Sequence, residues 1–336
     1  TGTAAAWTAL ALHPEIALPH THMAESLLRS GSESELLLRN QPWFNPNKRC
    51  VGLMLHSFPW APSALVRAVE LCQRDLFIQL VREPISHLVS CYNHAVRTKA
   101  FELLLKGGRD ALCHLEDSLI PPEDLVLAEL ARGRLFSYGR IPARFFGHWH
   151  AIDMTQLLPD QIGQTMRELY SLLGVDATFT SAQFFRKQVD EIRTRMIVDT
   201  ISLHLAGQDI QARIAYAGDS RLHPEGFTEE IAHCPPPSLP GWSDEDIVLL
   251  AHAPSWRKLP DCLRSRLVES SHINQAFATQ ILPPWLERVT LWQHATAPFL
   301  ITEFRPDFEG RIRKAIIDDV EDMLSVHPHL RESWKW

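Results

Sequence analysis

At 336 residues, with 45% hydrophobic and 22% charged side chains, the chain is long enough for one large or two smaller domains and has the make-up of a globular protein. A formal net charge of −7 excludes a general nucleic-acid binder, whose surface needs massed positive charge; a small anionic ligand needs only a local group of donors. No apolar run reaches the roughly 18–20 residues of a membrane span. The cysteines at Cys50, Cys72, Cys91, Cys113, Cys234 and Cys262 lack CxxC spacing, so they read as free thiols of a reducing, cytoplasmic compartment and not as zinc ligands.

The chain opens on "TGTAAAWTALALHPEI", a small-residue turn leading into a short helix that Pro14 ends. Residues 21–48 are mixed, and 51–55 form a short apolar strand ending at His56. A helix follows over about 62–72, with Pro62 near its start, where no amide donor is needed. "LFIQLVREPISHLVSCYNHAVR" then gives a buried strand over 76–81, a turn at Arg82-Glu83-Pro84, and a helix with Ile85, Leu88, Val89 and Tyr92 on one face. Strand and helix thus alternate over 50–100, which predicts a parallel sheet with crossover helices.

Residues 101–137 read as mainly helical, with a turn at "IPPED". A third strand is expected near 148–153, followed by a helix started by Pro159-Asp160 and stopped by Gly174. Its predicted apolar face is Ile162, Met166, Leu169, Leu172 and Leu173. After residue 190 the texture changes. "MIVDTISLHLAGQDIQARIAYAG" reads as a β-hairpin breaking at Gly207-Gln208, and "HCPPPSLPGW" as a rigid connection. Residues 243–295 are mixed, with helices around 257–268 and 272–282; "FLITEF" is a strand candidate, and a last helix covers 308–326 before "HPHLRESWKW". The expected organisation is a core over 1–189, an inserted mixed α/β subdomain over 190–305 and a C-terminal helix over 306–336 returning to the core. Four tryptophans of the insertion, Trp242, Trp256, Trp285 and Trp292, either cover a cleft or pack a subdomain core.

Three features carry chemistry. Thr1, Gly2 and Thr3 precede a helix, where backbone N–H groups and hydroxyls can face an anion. The chain has no GxxxxGK[ST], so an ordinary Walker NTPase is not supported. His56 follows a strand and should open on the carboxyl edge of the sheet, where a neutral imidazole can act as general base. Arg82 stands where a strand ends and a helix begins, the point at which open α/β sheets bind ligands, and a guanidinium there suits phosphate. Ser90 lies further along the same helix. Taken singly, Arg82 also reads as a surface ion pair and Ser90 as a packing residue.

In this chain order the sequence resembles the sulfotransferases that use 3′-phosphoadenosine 5′-phosphosulfate (PAPS). Their loop reads SGT or TGT, then a helix, then often HPEI, and "TGT" and "HPEI" stand here at that separation. "LMLHSFPW" matches a strand ending in a Thr-His-Leu-Pro-like run. "LVREPISHLVS" matches R-x-P with a serine eight residues after the arginine. "HAIDMTQLLPDQIGQTMRELYSLLGVD" matches a strand, an acidic-Leu segment and a helix ending in FLGV, and "LRESW" a Leu-x-x-Trp-like tail. The resemblance covers about residues 1–185 and 308–334.

The resemblance implies a P-loop-like α/β fold of sulfotransferase type, with a parallel sheet flanked by helices. It assigns Thr1, Gly2 and Thr3, with Ala4 next in the loop, to the 5′-phosphosulfate, Arg82 and Ser90 to the 3′-phosphate, and His56 to the proton of the acceptor. It implies a small-molecule hydroxyl or amine as acceptor, 3′,5′-ADP as product and no metal. Arg186 and Lys187 in "FFRKQ" resemble an Arg-Lys-Gly segment that grips the 3′-phosphate in some members; they also read as a solvated helix start. Ala4-Ala5 stand where the family often has Thr then Trp, and Met54 where a basic residue often precedes the catalytic His. The departures bear on turnover more than on fold, and the Ala4-Ala5 pair favours the alternative of a non-catalytic nucleotide-binding or scaffold protein with the same fold.

Overall fold

The computed structural model describes residues 6, 9–18, 50–51, 76–131, 149–181, 200–205, 207–216, 227–234, 247–269 and 271–336. They fall into two compact units. One draws on Thr1–Tyr92, Ile120–Arg186 and Ile301–Trp336, the other on Asn93–Leu119 and Lys187–Leu300.

The first unit contains two parallel strand pairs. β1 (Ile16–Ala17) lies beside β2 (Cys50–Val51), with Ile16 opposite Cys50. β3 (Phe77–Val81) lies beside β4 (Trp149–Asp153), in a register that sets Val81 opposite Asp153. Parallel strands need a crossover connection, and the sequence from 82 to 148 supplies it. Part of that connection is α1 (Pro84–Leu112), whose residues divide between the units after Tyr92, followed by α2 (Leu115–Ser118) and α3 (Pro122–Ala131). α1 is broken at Gly107-Gly108. Gly108 adopts φ +60°, ψ −142°, a conformation open to glycine alone.

Side-chain alternation gives the β3–β4 pair two apolar faces. Ile78, Leu80 and Ile152 pack with the helical residues 6 and 9–12 and with α4 (Ile162–Leu172). Val81 and Ala151 pack with Ile85, Leu88 and Val89 of α1, with Val126 of α3, and with Phe308, Ile312, Ile316 and Val320 of a long helix over Pro306–Val326. Helices therefore cover both sides of the parallel pair, which is the mixed α/β arrangement the alternation predicted.

α4 ends as expected. Gly174 takes φ +68°, and the N–H of Val175 reaches back to the carbonyl of Tyr170 at 3.1 Å, closing the last turn. Its apolar face is narrower than predicted: Ile162, Met166 and Leu169 are buried, but Leu172 is 52% exposed. The helix starts two residues later than Pro159-Asp160, which lie in the preceding turn.

The second unit is built on an antiparallel sheet in the order β5-β6-β8-β7, with β5 (Thr200–Leu205), β6 (Gln208–Tyr216), β7 (Phe227–Cys234) and β8 (Ile247–His252). The predicted hairpin is β5–β6, and Gly207 takes the positive φ (+78°) that its turn needs. β7 falls where no element is expected, with only His233 and Cys234 inside the segment read as a proline-rich connection, and β8 lies in a segment read as mixed structure. Central β8 is buried along "IVLLA", so its sequence shows no polar alternation. α5 (Ala253–Trp256), α6 (Asp261–Glu269), α7 (Ser271–Ala276), a π-helical turn (Phe277–Ile281) and α8 (Leu282–Thr296) follow. The helix expected over 272–282 therefore runs on through that turn.

"FLITEF" is not a strand. Pro298 and Pro306 bracket it, Ala297–Phe299 forms a 3-10 turn, and Phe304 is buried against Phe308 with ring centroids 5.4 Å apart. The last long helix, α9 (Pro306–Val326), and a short α10 (Leu330–Trp334) complete the chain as described.

Trp256, Trp285 and Trp292 are core residues of the second unit, each at most 4% exposed. The Trp292 indole also donates to the carbonyl of Arg97 at 2.9 Å. Trp292→Phe keeps a ring in the core and removes this hydrogen bond. It is expected to lower stability by about 1–2 kcal/mol, read as a lower urea midpoint with the slope unchanged.

Candidate functional site

Parallel α/β sheets present ligands at the carboxyl ends of their strands, so the turns after Val81 and Asp153 form the candidate site. After Val81 come Arg82, Glu83 and Pro84. Arg82 is exposed. Pro84 is the first residue of α1, where its missing N–H costs nothing. Glu83 caps the helix: its carboxylate accepts from the N–H of Ser86 at 2.6 Å and of Ile85 at 3.2 Å. The first-turn amides are thus already occupied. An anion arriving here meets the Arg82 guanidinium and not the helix end.

α1 divides into two faces. Ile85, Leu88, Val89, Tyr92 and Val96 are buried. Ser86, His87, Ser90, Cys91 and His94 make the other face, with Ser90 half-buried. Cys91 Sγ lies 3.5 Å from His87 Nε2. Burial and the nearby Arg82 charge lower the His87 pKa to about 4. Burial pushes the Cys91 thiol up to about 11, with the Glu129 carboxylate adding to it and Arg82 opposing. Arg82 therefore acts on the residues that flank Ser90, and both remain neutral near pH 7. This face carries the Arg82 guanidinium, the Ser86 and Ser90 hydroxyls and no thiolate.

The turn after β4 is built around a buried carboxylate. Asp153 is 2% exposed and accepts from Thr155 N at 2.8 Å and Thr155 Oγ1 at 2.7 Å. Its own N–H donates to Gln156 Oε1 at 2.9 Å, completing a capping box. The other Asp153 oxygen accepts from the Trp334 indole and from Ser333 Oγ at 3.3 Å.

The C-terminal segment reaches both turns. Lys335 takes a left-handed φ of 52°, which reverses the chain. The Trp336 indole then donates to Glu83 Oε1 at 2.9 Å, and the Arg313 guanidinium stands 4.5 Å above the Trp336 ring. Neither Glu83 nor Asp153 stood out in the sequence. The usable signal was the pair of tryptophans in "ESWKW", since a buried indole seeks an acceptor.

"HPEI" has a structural task. His13 is 1% exposed, with its ring 4.5 Å from Tyr170 and 4.8 Å from Phe179. His13 Nδ1 accepts from the N–H of Glu15 at 3.1 Å, which leaves Nε2 to donate to the carbonyl of Asp176 at 3.0 Å. Glu15 in turn accepts from the N–H of Asp176 at 2.8 Å, and the Tyr170 hydroxyl donates to the carbonyl of Ala9 at 2.9 Å. Burial raises the Tyr170 pKa above its ordinary value. Two motifs far apart in sequence, "HPEI" and "LLGVD", are one interlocked contact. It fixes the helix that follows "TGT".

Of the residues singled out in the sequence, Arg82 and Ser90 are described, and they belong to the first two turns of one helix and the loop before it. Thr1, Gly2, Thr3, Ala4, His56, Arg186 and Lys187 lie outside the described residues. Among the described residues there is no cluster of three or more His, Cys, Asp or Glu able to hold a metal ion. No described helix is long and apolar enough to cross a membrane.

No family model matches the chain, and no curated protein matches it. Among solved structures it is similar to a sulfotransferase from Alicyclobacillus acidocaldarius, with a TM-score of 0.37 and 17% identity, over 58% of this chain and 85% of that one.

The raised Cys91 pKa gives a direct chemical test. At about pH 8 a thiol with a pKa near 11 is ionised in about one molecule in a thousand. Exposed Cys113 and Cys262 should therefore be alkylated by iodoacetamide first, and Cys91 far more slowly, as followed by peptide mass spectrometry.

Proposed function

We propose that the chain is a PAPS-dependent sulfotransferase acting on the hydroxyl, or amine, of a small-molecule acceptor. The observation that carries this reading is the Arg82 turn. An exposed guanidinium follows a parallel strand, Ser90 lies in the second turn of the helix after it, and His87 and Cys91 beside it are held neutral. Glu83 is engaged with backbone amides and Trp336, so the carboxylate next to Arg82 is already satisfied. These groups fit a terminal phosphate, which the guanidinium fork can hold through charge-assisted hydrogen bonds with the serine hydroxyl as a further donor.

In this reading Arg82 and Ser90 hold the 3′-phosphate, with Arg186 and Lys187 as further cationic candidates. Thr1, Gly2, Thr3 and Ala4 supply the loop for the 5′-phosphosulfate. PAPS supplies an activated sulfuryl group. The acceptor oxygen forms a bond to sulfur as the bond from sulfur to the bridging phosphate oxygen breaks, and 3′,5′-ADP leaves. His56 takes the acceptor proton. Such a transfer depends on positioning and on neutralising oxygen charge, so binding residues carry much of the rate. The contact of "HPEI" with "LLGVD" supports the same reading, because it anchors the helix that presents the loop.

Calorimetry with 3′,5′-ADP tests the reading. Binding should require the 3′-phosphate, so 5′-AMP should bind far more weakly. Arg82→Ala should weaken 3′,5′-ADP by about ten- to hundredfold while leaving weak 5′-AMP binding unchanged. Equal affinity for the two nucleotides, or indifference to Arg82→Ala, would withdraw the assignment. His56→Ala should abolish transfer and spare 3′,5′-ADP binding. Tight 3′,5′-ADP binding without transfer to any acceptor would favour the non-catalytic module, for which Ala4-Ala5 speak.

A further inference from the structure

The segment that follows α9 lies along β4 and ends on the Arg82 turn. His327 is 5% exposed, and its ring meets the Trp149 ring edge-on with centroids 4.2 Å apart. No described residue pairs with its buried Nε2. His329 lies 5.7 Å away, ring to ring, with Nε2 3.2 Å from the carbonyl of Ala151. His150, next to Trp149 on the same strand, is the third imidazole. Further on, Leu330 and Trp334 are buried in the core beneath β4, Trp334 holds Asp153, and Trp336 holds Glu83.

We propose that residues 327–336 form an acid-released strap, closed while the buried His327 ring against Trp149 is neutral and opened when it charges. The strap closes over the carboxyl ends of both strands. Its polar anchors are Ala151, Asp153, Glu83 and, through Arg331, Glu321 of α9; around His327 the contact is ring packing against Trp149.

The direction of the effect follows from the environment of each imidazole. Burial, and then the neighbouring His329 and His150, lower the His327 pKa to about 4. Burial and His329 also lower that of His150, with Glu168 of α4 partly opposing. Other acids beside the segment are engaged by the segment itself: Glu321 of α9 with Arg331 at 2.7 Å, and Asp153 with Trp334. When the strap opens, His327 returns to its ordinary value of 6.5. Between those two values the open form binds more protons, so closure weakens as pH falls below 6.5 and levels off near 4. His327 alone changes the closing equilibrium about tenfold per pH unit in that window, or about thirtyfold between pH 7.5 and 5.

Hydrogen–deuterium exchange of the full chain at about pH 7.5 and pH 5 reads the strap directly, after correction for the intrinsic pH dependence of exchange. Peptides covering 327–336 should lose protection at least tenfold at the lower pH, while those from β6 and β8 keep theirs. His327→Phe retains a ring against Trp149 and cannot charge, so it should abolish the loss. The double change His150→Gln and His329→Gln removes the neighbouring charges and should shrink it, which decides the matter if His327→Phe fails to fold. Unchanged protection in the wild type, loss that persists in both variants, or loss across all peptides at once would overturn the proposal.

Its consequence for the site rests on the cofactor reading. Opening removes the Trp336 donor from Glu83 and loosens the turn that carries Arg82, so 3′,5′-ADP affinity should fall over the same pH window and not in His327→Phe. Absence of 3′,5′-ADP binding at every pH would sink the cofactor reading and leave the strap result standing.

Discussion

Two carboxylates close the carboxyl edge of the β3–β4 pair, and the surrounding turns are organised by satisfying them. Glu83 and Asp153 stand at the ends of adjacent strands. Each accepts from backbone N–H groups of the turn that follows it, and each takes one indole from the C-terminal segment. A carboxylate in such a place would be costly without donors, because burial removes water and leaves its lone pairs unpaired. The donors come from three separate parts of the chain. Crossover helix, strand turn and C-terminal tail are thereby held at one edge, and Arg82 is the cation left facing outward there.

Elements with a local signature were legible in the sequence. The strand over 77–81, the proline-started helix after it, the strand over 149–153 and the stop at Gly174 all follow from short-range rules of run length, φ preference and missing donors. The β5–β6 turn was legible because Gly207-Gln208 interrupts two alternating runs. β7 and β8 were not. β8 is buried along its length and so loses the alternation that marks a strand, and β7 carries register irregularities beside Phe227 and Ala232. "FLITEF" erred the other way. Its apolar residues serve packing against α9, and no partner strand accompanies them among the described residues. Leu172 shows the same limit on a helix: periodicity places it on the apolar flank, but the neighbouring element does not reach that far.

The candidate site was legible where one residue type does one job at a fixed place. Arg82 at a strand end and Ser90 on the following helix are of that kind. Glu83 was not singled out, because an acid beside the arginine reads as a plain ion pair until its carboxylate is seen capping α1. Asp153 became recognisable only through Trp334, 181 residues away. His13 was quoted for the resemblance its motif carries, yet its physical reason, a single tautomer clamped between Glu15 and Asp176, needs the fold.

The electrostatics of the Arg82 turn have a further consequence. Arg82 lowers the pKa of His87 and draws down that of Cys91, while burial keeps both neutral. A protonated His87 would add a second cation and repel the guanidinium; an ionised Cys91 would pair with it and compete with any ligand. Holding both neutral leaves Arg82 without a competing charge from His87 or Cys91, while Glu83 is engaged by the helix cap, by Trp336 and by Arg313 at 3.9 Å. On the cofactor reading proposed above, a dianionic 3′-phosphate would bring two charges and several acceptor oxygens to Arg82. The same bookkeeping makes the carboxylate of a small acid a poorer occupant: with one charge it gains less from the fork and offers Ser90 fewer acceptors.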